Sequence, residues 1–165
     1  MRSMARWMDL HRASLLLSGE GPLGEALPEL MALVVHSGAA AAGALFLHPE
    51  AAQDLPAVVP CNLTLPSASD PGPQASELLL SLALDRGEAR LYNDYAGYVL
   101  AHPALLSAGV VHLAAAPLCC GGRTFGVLAL MDRSGERPFR SVDLPFLQTA
   151  ARLIALRLEV EHHAR

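Results

Sequence analysis

The sequence has few charged residues, few aromatic residues and no long apolar run. Charged side chains make up 17% and aromatic side chains 5% of its 165 residues, whereas 52% are hydrophobic. The polar-free stretches near 38–47 and 113–120 are far shorter than the ~18 residues that a membrane-spanning helix needs. The composition therefore predicts no membrane association, and one domain whose core consists of small and branched aliphatic side chains.

A basic patch and a secretory signal are also missing. The formal net charge is -4, and the basic residues do not cluster in the way that nucleic-acid binding requires. At the N-terminus, Asp9, His11 and Arg12 interrupt the apolar segment that a signal peptide would need. We therefore expect a cytoplasmic protein that does not bind nucleic acid.

Cysteine is scarce, and its three positions exclude a disulfide framework. The residues are Cys61 and the adjacent pair Cys119 and Cys120, which is an odd number. Neighbouring side chains of a strand point to opposite faces, so a bond within the adjacent pair would need a strained peptide. Cys119 and Cys120 are weak candidates for a redox site, since Arg123 nearby favours a thiolate. The alternative is one packed and one half-exposed thiol.

Helical periodicity marks both ends of the chain. Apolar residues recur every three or four positions in 4–17 and 23–35, and the Gly- and Pro-containing segment 18–22 separates these two predicted helices. A final helix is predicted over 141–162, with two apolar stripes. One stripe can lie on a sheet, and the second needs either the N-terminal helices or another subunit.

Short apolar runs bounded by turn residues predict five strands. The second is an edge or broken strand, because Pro56 and Pro60 each remove a backbone donor. The last two form a hairpin, because Gly121-Gly122 supplies the positive φ angles of a tight two-residue turn. The predicted strands are Ala42–His48, Asp54–Cys61, Ala89–Tyr92, Val110–Cys120 and Thr124–Asp132.

The middle of the chain is less regular. Residues 60–76 are rich in Pro, Ser, Gly and Asp, which predicts a surface loop. A helix is predicted from about Gln74 to Asp85, with Gly87 as its left-handed cap. The segment Tyr95–Ser107 is predicted to be a loop with a helical turn that Pro103 interrupts.

This order of elements predicts an α+β fold. A central antiparallel sheet of about five to six strands carries helices on both faces, and the N- and C-terminal helices pack together. We expect one domain over 1–165, with the N-terminal helices in 1–37, the sheet and its loops in 42–140, and the last helix in 141–162.

Several segments, in order and at suitable spacing, resemble a GAF domain, a family of small-molecule sensor and regulatory modules. The resemblance implies a non-catalytic role, in which a small molecule or a protein partner rearranges the terminal helices of a homodimer. The matching residues are Arg90–Tyr95, His102-Pro103, Gly109-Val110, Ala116–Leu118, Gly126–Leu128, Phe139 and Asp143-Leu144.

Signatures of specialised GAF members are not found in the sequence. It lacks the Asn-Lys-x-Phe-Asp-Glu run of cyclic-nucleotide binders, and none of its cysteines lies in a bilin-attachment context. Three cysteines in a GAF-like frame leave a thiol-dependent reductase of a small oxidised substrate as an alternative. A scaffold without a ligand is another. The sequence up to Arg165 shows no output domain of the kind that most sensor GAF domains precede. We therefore expect that the output is a separate partner protein, that the chain is a fragment of a larger protein, or that it acts alone.

The candidate ligand-binding residues come from three strands and one loop. Four of them follow one another in 92–98, and the resemblance places that segment over the ligand-facing side of the sheet, where a pocket needs a few polar groups. The alternatives are tyrosines that cover a sheet edge, an aspartate that caps a turn, and a histidine buried on a backbone partner. The candidates are Phe46, His48, Tyr92, Asp94, Tyr95, Tyr98 and His112; no metal-ligand spacing occurs.

Small side chains are concentrated on the two central predicted strands. They leave room over the sheet, so either helices approach it closely or a cavity lies there. The residues are Ala114, Ala115, Ala116, Gly126 and Ala129.

Overall fold

The structure is a computed structural model of the chain. The structure does not describe every residue for which a prediction was made. Residues 66–73 of the predicted surface loop and Asp85, at the end of a predicted helix, lie outside the described residues. The side chains of Arg2 and Ser3 are outside them as well. The structure describes residues 2–19, 21–50, 54–65, 74–84 and 86–163.

Five strands form one antiparallel sheet, which confirms the predicted fold class. They are β1 (Ala42–Leu47), β2 (Val58–Cys61), β3 (Arg90–Tyr92), β4 (His112–Cys120) and β5 (Arg123–Asp132). Their order in the sheet is β2-β1-β5-β4-β3. The short strand β2 lies at an edge, as its prolines predict, and Pro60 stands opposite Ala44 of β1.

The hairpin of β4 and β5 turns at the predicted glycine pair. Gly121 has a φ of 60° and Gly122 a φ of 77°, so both occupy the left-handed region that L side chains rarely adopt. Cys120 pairs directly with Arg123 across this turn. The twist of such a turn matches that of the strands, and the hairpin prediction is confirmed.

In the part of the chain that the structure describes, five α-helices cover the two faces of the sheet. They are α1 (Arg2–Ser18), α2 (Leu23–Ser37), α3 (Ala75–Ser81), α4 (Pro103–Ser107) and α5 (Leu144–His163). On the bundle face, Leu45 and Leu128 join one buried cluster with α1, α2 and α5. On the α3 face, Phe46 and Ala129 join a second cluster with α3 and α4. The predicted helices on both faces are therefore present.

The helix α3 is shorter than its apolar stripe predicts. It ends at Ser81, and Ala83 just after it has a φ of 53°. The amide of Leu84 then donates to the carbonyl of Leu79 at 2.9 Å. Ala83 takes the left-handed conformation that closes a helix, so the prediction of Gly87 as the cap is wrong, although its φ is also positive at 80°.

Pro103 begins a helix instead of interrupting one. It is the first residue of α4, where the missing N–H costs nothing because that group has no partner inside a helix. His102 precedes it, and its Nδ1 accepts from the amide of Ala104 at 3.1 Å. This cap satisfies one of the free amides of the first turn.

The terminal helices pack together as predicted, with α1 fixed to α5 by one arginine from each. Arg6 of α1 pairs with Asp143, just before α5, at 2.8 Å. Arg157 of α5 donates to the carbonyl of Leu17 and, at 3.2 Å, to that of Gly19. The two contacts sit at opposite ends of α1. Within the parts of the chain that the structure describes, no helix is long and apolar enough to span a bilayer.

The helix α1 has two apolar rows, one buried and one exposed, whereas a simple amphipathic helix has one apolar face that is buried. Its buried row is Leu10, Ala13 and Leu17. The row that defines the helical periodicity of the sequence is exposed: Met4, Met8, His11 and Leu15. The helix prediction is confirmed, and that stripe has no partner among the described residues.

Candidate functional site

The α3 face of the sheet has a floor of small side chains. Ala44, Ala115 and Ala129 are at most 1% exposed there. The room above them is occupied by Leu78 from α3 and Leu105 from α4, both in the same buried cluster. Of the two arrangements that the small residues allow, the structure has closely packed helices in this place.

Three tyrosines form a cluster at the edge of this face. The ring centroids of Tyr92 and Tyr98 are 4.8 Å apart, and those of Tyr95 and Tyr98 are 6.4 Å apart. Tyr92 donates its hydroxyl to the carbonyl of Leu82, and Tyr98 donates to that of Ser81. Both acceptors lie at the C-terminal end of α3, so these hydroxyls hold α3 against the sheet.

Tyr95 fixes the loop that leads to α4. Its side chain is completely buried, and its hydroxyl accepts from the amide of His102 at 2.7 Å. His102 in turn pairs through Nε2 with Glu77 of α3 at 3.3 Å. The loop is thus held by the Tyr95 phenol at the His102 amide and by the His102 side chain at Glu77 of α3.

Burial changes the titration of this cluster. It raises the pKa of Tyr92 to about 12, with the neighbouring Tyr98 hydroxyl as the second cause. Burial likewise raises the pKa of Tyr95. Both phenols are therefore neutral near pH 7, so the Tyr92 hydroxyl remains protonated and can donate its hydrogen bond to the carbonyl of Leu82.

We expect Tyr92→Phe to lower stability by about 1 kcal/mol at neutral pH, because the carbonyl of Leu82 loses its donor. A phenol whose folded pKa is raised stabilises the fold below its ordinary pKa near 10, and that contribution is lost as the pH rises toward 12. The variant should therefore lose less stability than the parent over this range. Urea unfolding at several pH values measures both effects.

The matched control is Tyr98→Phe, which removes the equivalent hydroxyl bond to Ser81. Its cost at neutral pH should also be about 1 kcal/mol. A Tyr92→Phe protein whose stability falls with pH as steeply as that of the parent would contradict the assignment of the alkaline loss to Tyr92.

The structure brings four of the seven candidate residues together. Phe46 and Tyr95 lie inside the buried cluster of the α3 face, and Tyr92 and Tyr98 pack against it. Asp94 is exposed beside them, with its carboxylate turned toward Gly97. These positions make the tyrosine cluster and Phe46 the centre of the candidate site.

The two histidines stand apart from that centre. His48 follows the end of β1, where its amide donates to the carbonyl of Phe125 at 2.9 Å. His112 precedes Leu113 of the α3 face, so alternation places its side chain on the bundle face. It is 8% exposed, and neither ring nitrogen has a partner among the described residues. The backbone partner expected for a buried histidine is therefore not found there.

Two amide side chains that the sequence analysis did not single out connect this region to α5 and to the segment that precedes it. Asn93 donates to the carbonyl of Phe139 at 2.6 Å and accepts from its amide at 2.9 Å. Gln148 accepts from the amide of Ala89 at 2.7 Å and donates to the carbonyl of Gly87 at 3.1 Å. Their partners are distant in the chain, and no local pattern marks them.

The three thiols are free. Cys61 and Cys120 pack against the bundle-face core, on the other side of the sheet from the tyrosines. Cys119 lies 3.4 Å from the hydroxyl of Thr124. Burial raises the pKa of the Cys61 thiol, which lowers its thiolate fraction and its reactivity. In the portions of the chain covered by the structure, no cluster of three or more His, Cys, Asp or Glu could hold a metal ion.

A cavity of about 700 Å³ lies on the bundle side, between the start of α1 and the segment that leads into α5. None of the seven candidate residues lines it. The sequence analysis did not single out this region. Two of the arginines that line the cavity, Arg137 and Arg140, follow β5 at close spacing, but that spacing alone does not indicate a cavity.

Comparison with known proteins identifies one family. The family model of the GAF domain matches residues 22–158. No curated protein matches the chain as a relative.

Solved structures share the fold at low identity. The GAF domain of a phosphoenolpyruvate-protein phosphotransferase from Coxiella burnetii is 16% identical, covers 99% of this chain and 98% of its own, and has a TM-score of 0.79. A free methionine-R-sulfoxide reductase from Neisseria meningitidis, in complex with its substrate, is 15% identical. It covers 100% of this chain and 95% of its own, with a TM-score of 0.74. A phycocyanobilin-bound GAF domain from a cyanobacterial phytochrome is 17% identical over 97% of both chains, with a TM-score of 0.68.

Proposed function

The chain belongs to the GAF domain family, and we propose that it is a non-catalytic regulatory module that acts as a homodimer paired through α1 and α5. A small molecule or a protein partner would change the arrangement of these helices. Its output would pass to another protein. The observation that carries this proposal is the exposed apolar stripe of α1.

The exposure of this stripe is unusual for a solvated helix. Single exposed apolar side chains are ordinary on protein surfaces, whereas a contiguous row of large ones marks an interaction surface. On α5, which packs beside α1, Leu156 and Val160 are also exposed. The α1 stripe is the exposed row described above together with the adjacent Trp7. Its members are Met4 (71% exposed), Trp7 (67%), Met8 (63%), His11 and Leu15 (59%).

A self-complementary helix face suits a two-fold dimer. In such an interface the same patch of both copies meets, so one apolar row is sufficient to form both halves. The α1 stripe supplies that row, and the inner row of α1 already holds the helix on its own protomer. Pairing of α1 with α1 would then cover side chains that the protomer leaves in water.

The fold provides a physical route from the sheet to this interface. The tyrosine cluster holds α3, which packs on β5, and α5 packs on β4 from the opposite face of the sheet. Arg157 and Arg6 fix α1 to α5 and to Asp143. A ligand with different affinities for two helix arrangements shifts their populations by that difference.

We place the responsive site at Phe46 and the tyrosine cluster, with Asp94 at its exposed edge. His48 and His112, which stand apart from this cluster, are not part of the proposed site. Leu78 occupies the room above the alanine floor, so a bound molecule has to displace α3 to reach it. The molecule that suits this site is apolar, with one polar group for a tyrosine hydroxyl.

Native mass spectrometry of freshly purified protein, without reductant, tests this function. A dimer with an added small-molecule mass supports the sensor, and Leu78→Trp should remove that mass by filling the site. Leu80→Trp is the control, since Leu80 lies two residues away on α3 and is 78% exposed. A dimer without added mass favours response to a protein partner. A monomer in every preparation contradicts the proposal.

The reductase alternative has weaker support. One structural neighbour is a free methionine-R-sulfoxide reductase, but Cys61 and Cys120 pack on the side of the sheet opposite the tyrosine cluster. We therefore expect no reduction of free methionine-R-sulfoxide in an assay coupled to thioredoxin. Turnover by the parent that disappears in a Cys61→Ser, Cys119→Ser, Cys120→Ser protein would establish the reductase instead.

A further inference from the structure

The cavity on the bundle side has the size and the walls of a ligand site. Its volume of about 700 Å³ falls within the range of small-molecule pockets. Its apolar lining comes from Leu10 of α1, Phe139, and Phe146 of α5, all of them buried. Trp7, an exposed residue of the α1 stripe, also lines the cavity.

The charge of the cavity is opposite to that of the chain. The chain has a formal net charge of -4, yet three arginines line this one concavity: Arg6, Arg137 and Arg140. Among the described residues that line it, Asp143 is the only acidic one. The walls therefore carry an excess of positive charge.

Both carboxylate oxygens of Asp143 already have partners within the protein. Its Oδ1 pairs with Nη2 of Arg6 at 2.8 Å, and its Oδ2 accepts from the backbone amide of Arg140 at 2.7 Å. Within the described chain, the guanidinium groups of Arg137 and Arg140 form no ion pair. Two cations thus remain without a counter-charge at the edge of an apolar cavity.

The third arginine is held as part of the wall. Besides its pair with Asp143, Arg6 donates from Nε to the carbonyl of Ser37 at 3.2 Å. Its guanidinium lies 5.2 Å from the ring centroid of Phe146, in cation–π contact. These contacts hold Arg6 in place in the absence of a ligand, so this part of the wall needs no further ordering. The exposed side chains of Arg137 and Arg140 have to be ordered when the anion binds.

We propose that this cavity is a second ligand site, for a small organic anion with an apolar body. Its carboxylate or phosphate group pairs with Arg137 and Arg140, because the guanidinium fork matches the geometry of either oxyanion. Its body lies against Phe146 and Trp7. This site is separate from the tyrosine cluster, on the opposite face of the sheet.

Occupancy has a structural consequence. One wall of the cavity belongs to α1 and the other to the segment that enters α5. An anion that pairs with Arg137 and Arg140 while its body contacts Trp7 would link α1 to the segment that enters α5. The site therefore gives a metabolite access to the same helix pair without any change at the α3 face.

The fluorescence of Trp7, the single tryptophan of the sequence, reports on this site directly. The probes are 4-phenylbutyrate and its neutral amide, 4-phenylbutyramide, which share one apolar body. We expect the carboxylate to bind at least about tenfold more tightly than the amide, as a charge-assisted pair provides. In the Arg137→Gln, Arg140→Gln protein, the affinity for the carboxylate should fall to that for the amide.

The matched control is Arg86→Gln with Arg152→Gln, which removes the same charge from exposed positions outside the cavity. It should keep the full preference for the carboxylate. Equal binding of the two probes by the parent, equal loss of the preference in both double variants, or no saturable binding of the carboxylate would each overturn the proposal. None of these outcomes bears on the α3 face, which lies on the opposite side of the sheet.

Discussion

Replacing Met8 and Leu15 by glutamate is expected to convert the proposed dimer into a folded monomer. Both side chains belong to the exposed stripe of α1, so neither contributes to the core of the protomer. Burying a large aliphatic side chain contributes about 1.5–3 kcal/mol, and two charges in the same interface add repulsion. We expect the dissociation constant to rise at least ~100-fold, measured by light scattering after size-exclusion chromatography.

The control for this variant is Leu80→Glu with Val99→Glu. These two residues are 78% and 93% exposed, and they lie on the α3 side of the protein. The substitution adds the same charge and removes the same kind of apolar surface, so general effects of charge appear in both proteins. Dissociation of both variants to the same extent would contradict pairing through α1.

Replacing Gly126 by alanine is expected to produce the largest loss of stability of any single methyl addition to the sheet. A Cβ at this position would lie 1.9 Å from the carbonyl oxygen of Phe46 and 3.0 Å from Cα of Leu47. Both are backbone atoms of the neighbouring strand β1, which cannot move without separating from β5. We expect a loss of ~3 kcal/mol or more, measured by urea unfolding followed by circular dichroism.

The control is Gly21→Ala. No atom lies within 4 Å of a Cβ built there, so the added methyl group meets open space. Its effect should stay within about 1 kcal/mol of the parent and can be slightly stabilising, because alanine restricts the unfolded chain. A Gly126→Ala protein with stability equal to that of this control would show that β1 and β5 do not approach each other as closely as described.

Much of the fold could be predicted because its signals are local. The Gly121-Gly122 turn, Pro60 of β2 and the periodicity of the terminal helices each act within a few residues. The end of α3 could not be predicted in this way. Its apolar stripe continues to Leu82, but the next residue, Ala83, adopts a left-handed conformation without being glycine. Leu82 and Leu84 on either side of it are both buried in the core of the α3 face, a tertiary contact that no local pattern shows.

The helix α1 also combines a feature that local sequence determines with one that tertiary packing determines. Periodicity shows that the helix exists, but it does not show which stripe faces the core. The chain has two apolar rows on this helix, and the one that turns inward, with Leu10 and Leu17, is decided by packing against α2 and α5. The outward row was the clearer signal in the sequence. Its exposure became visible only in the folded protein.

The candidate site could be predicted in part. The tyrosines occur within seven residues, so their proximity follows from the sequence alone. Their hydroxyl contacts to Leu82 and Ser81 depend on where α3 ends. The cavity near Arg137 could not be predicted, because its walls come from the first helix and from a segment more than a hundred residues later, and only the folded chain brings them together.

Sedimentation equilibrium of the unmodified protein, from low micromolar concentration upward, tests pairing through α1 and α5 most directly. We predict a mass twice the 17.4 kDa of the chain, with dissociation only at the lowest concentrations. A mass of one chain at every concentration would contradict the account, because the exposed stripe of α1 would then remain in water.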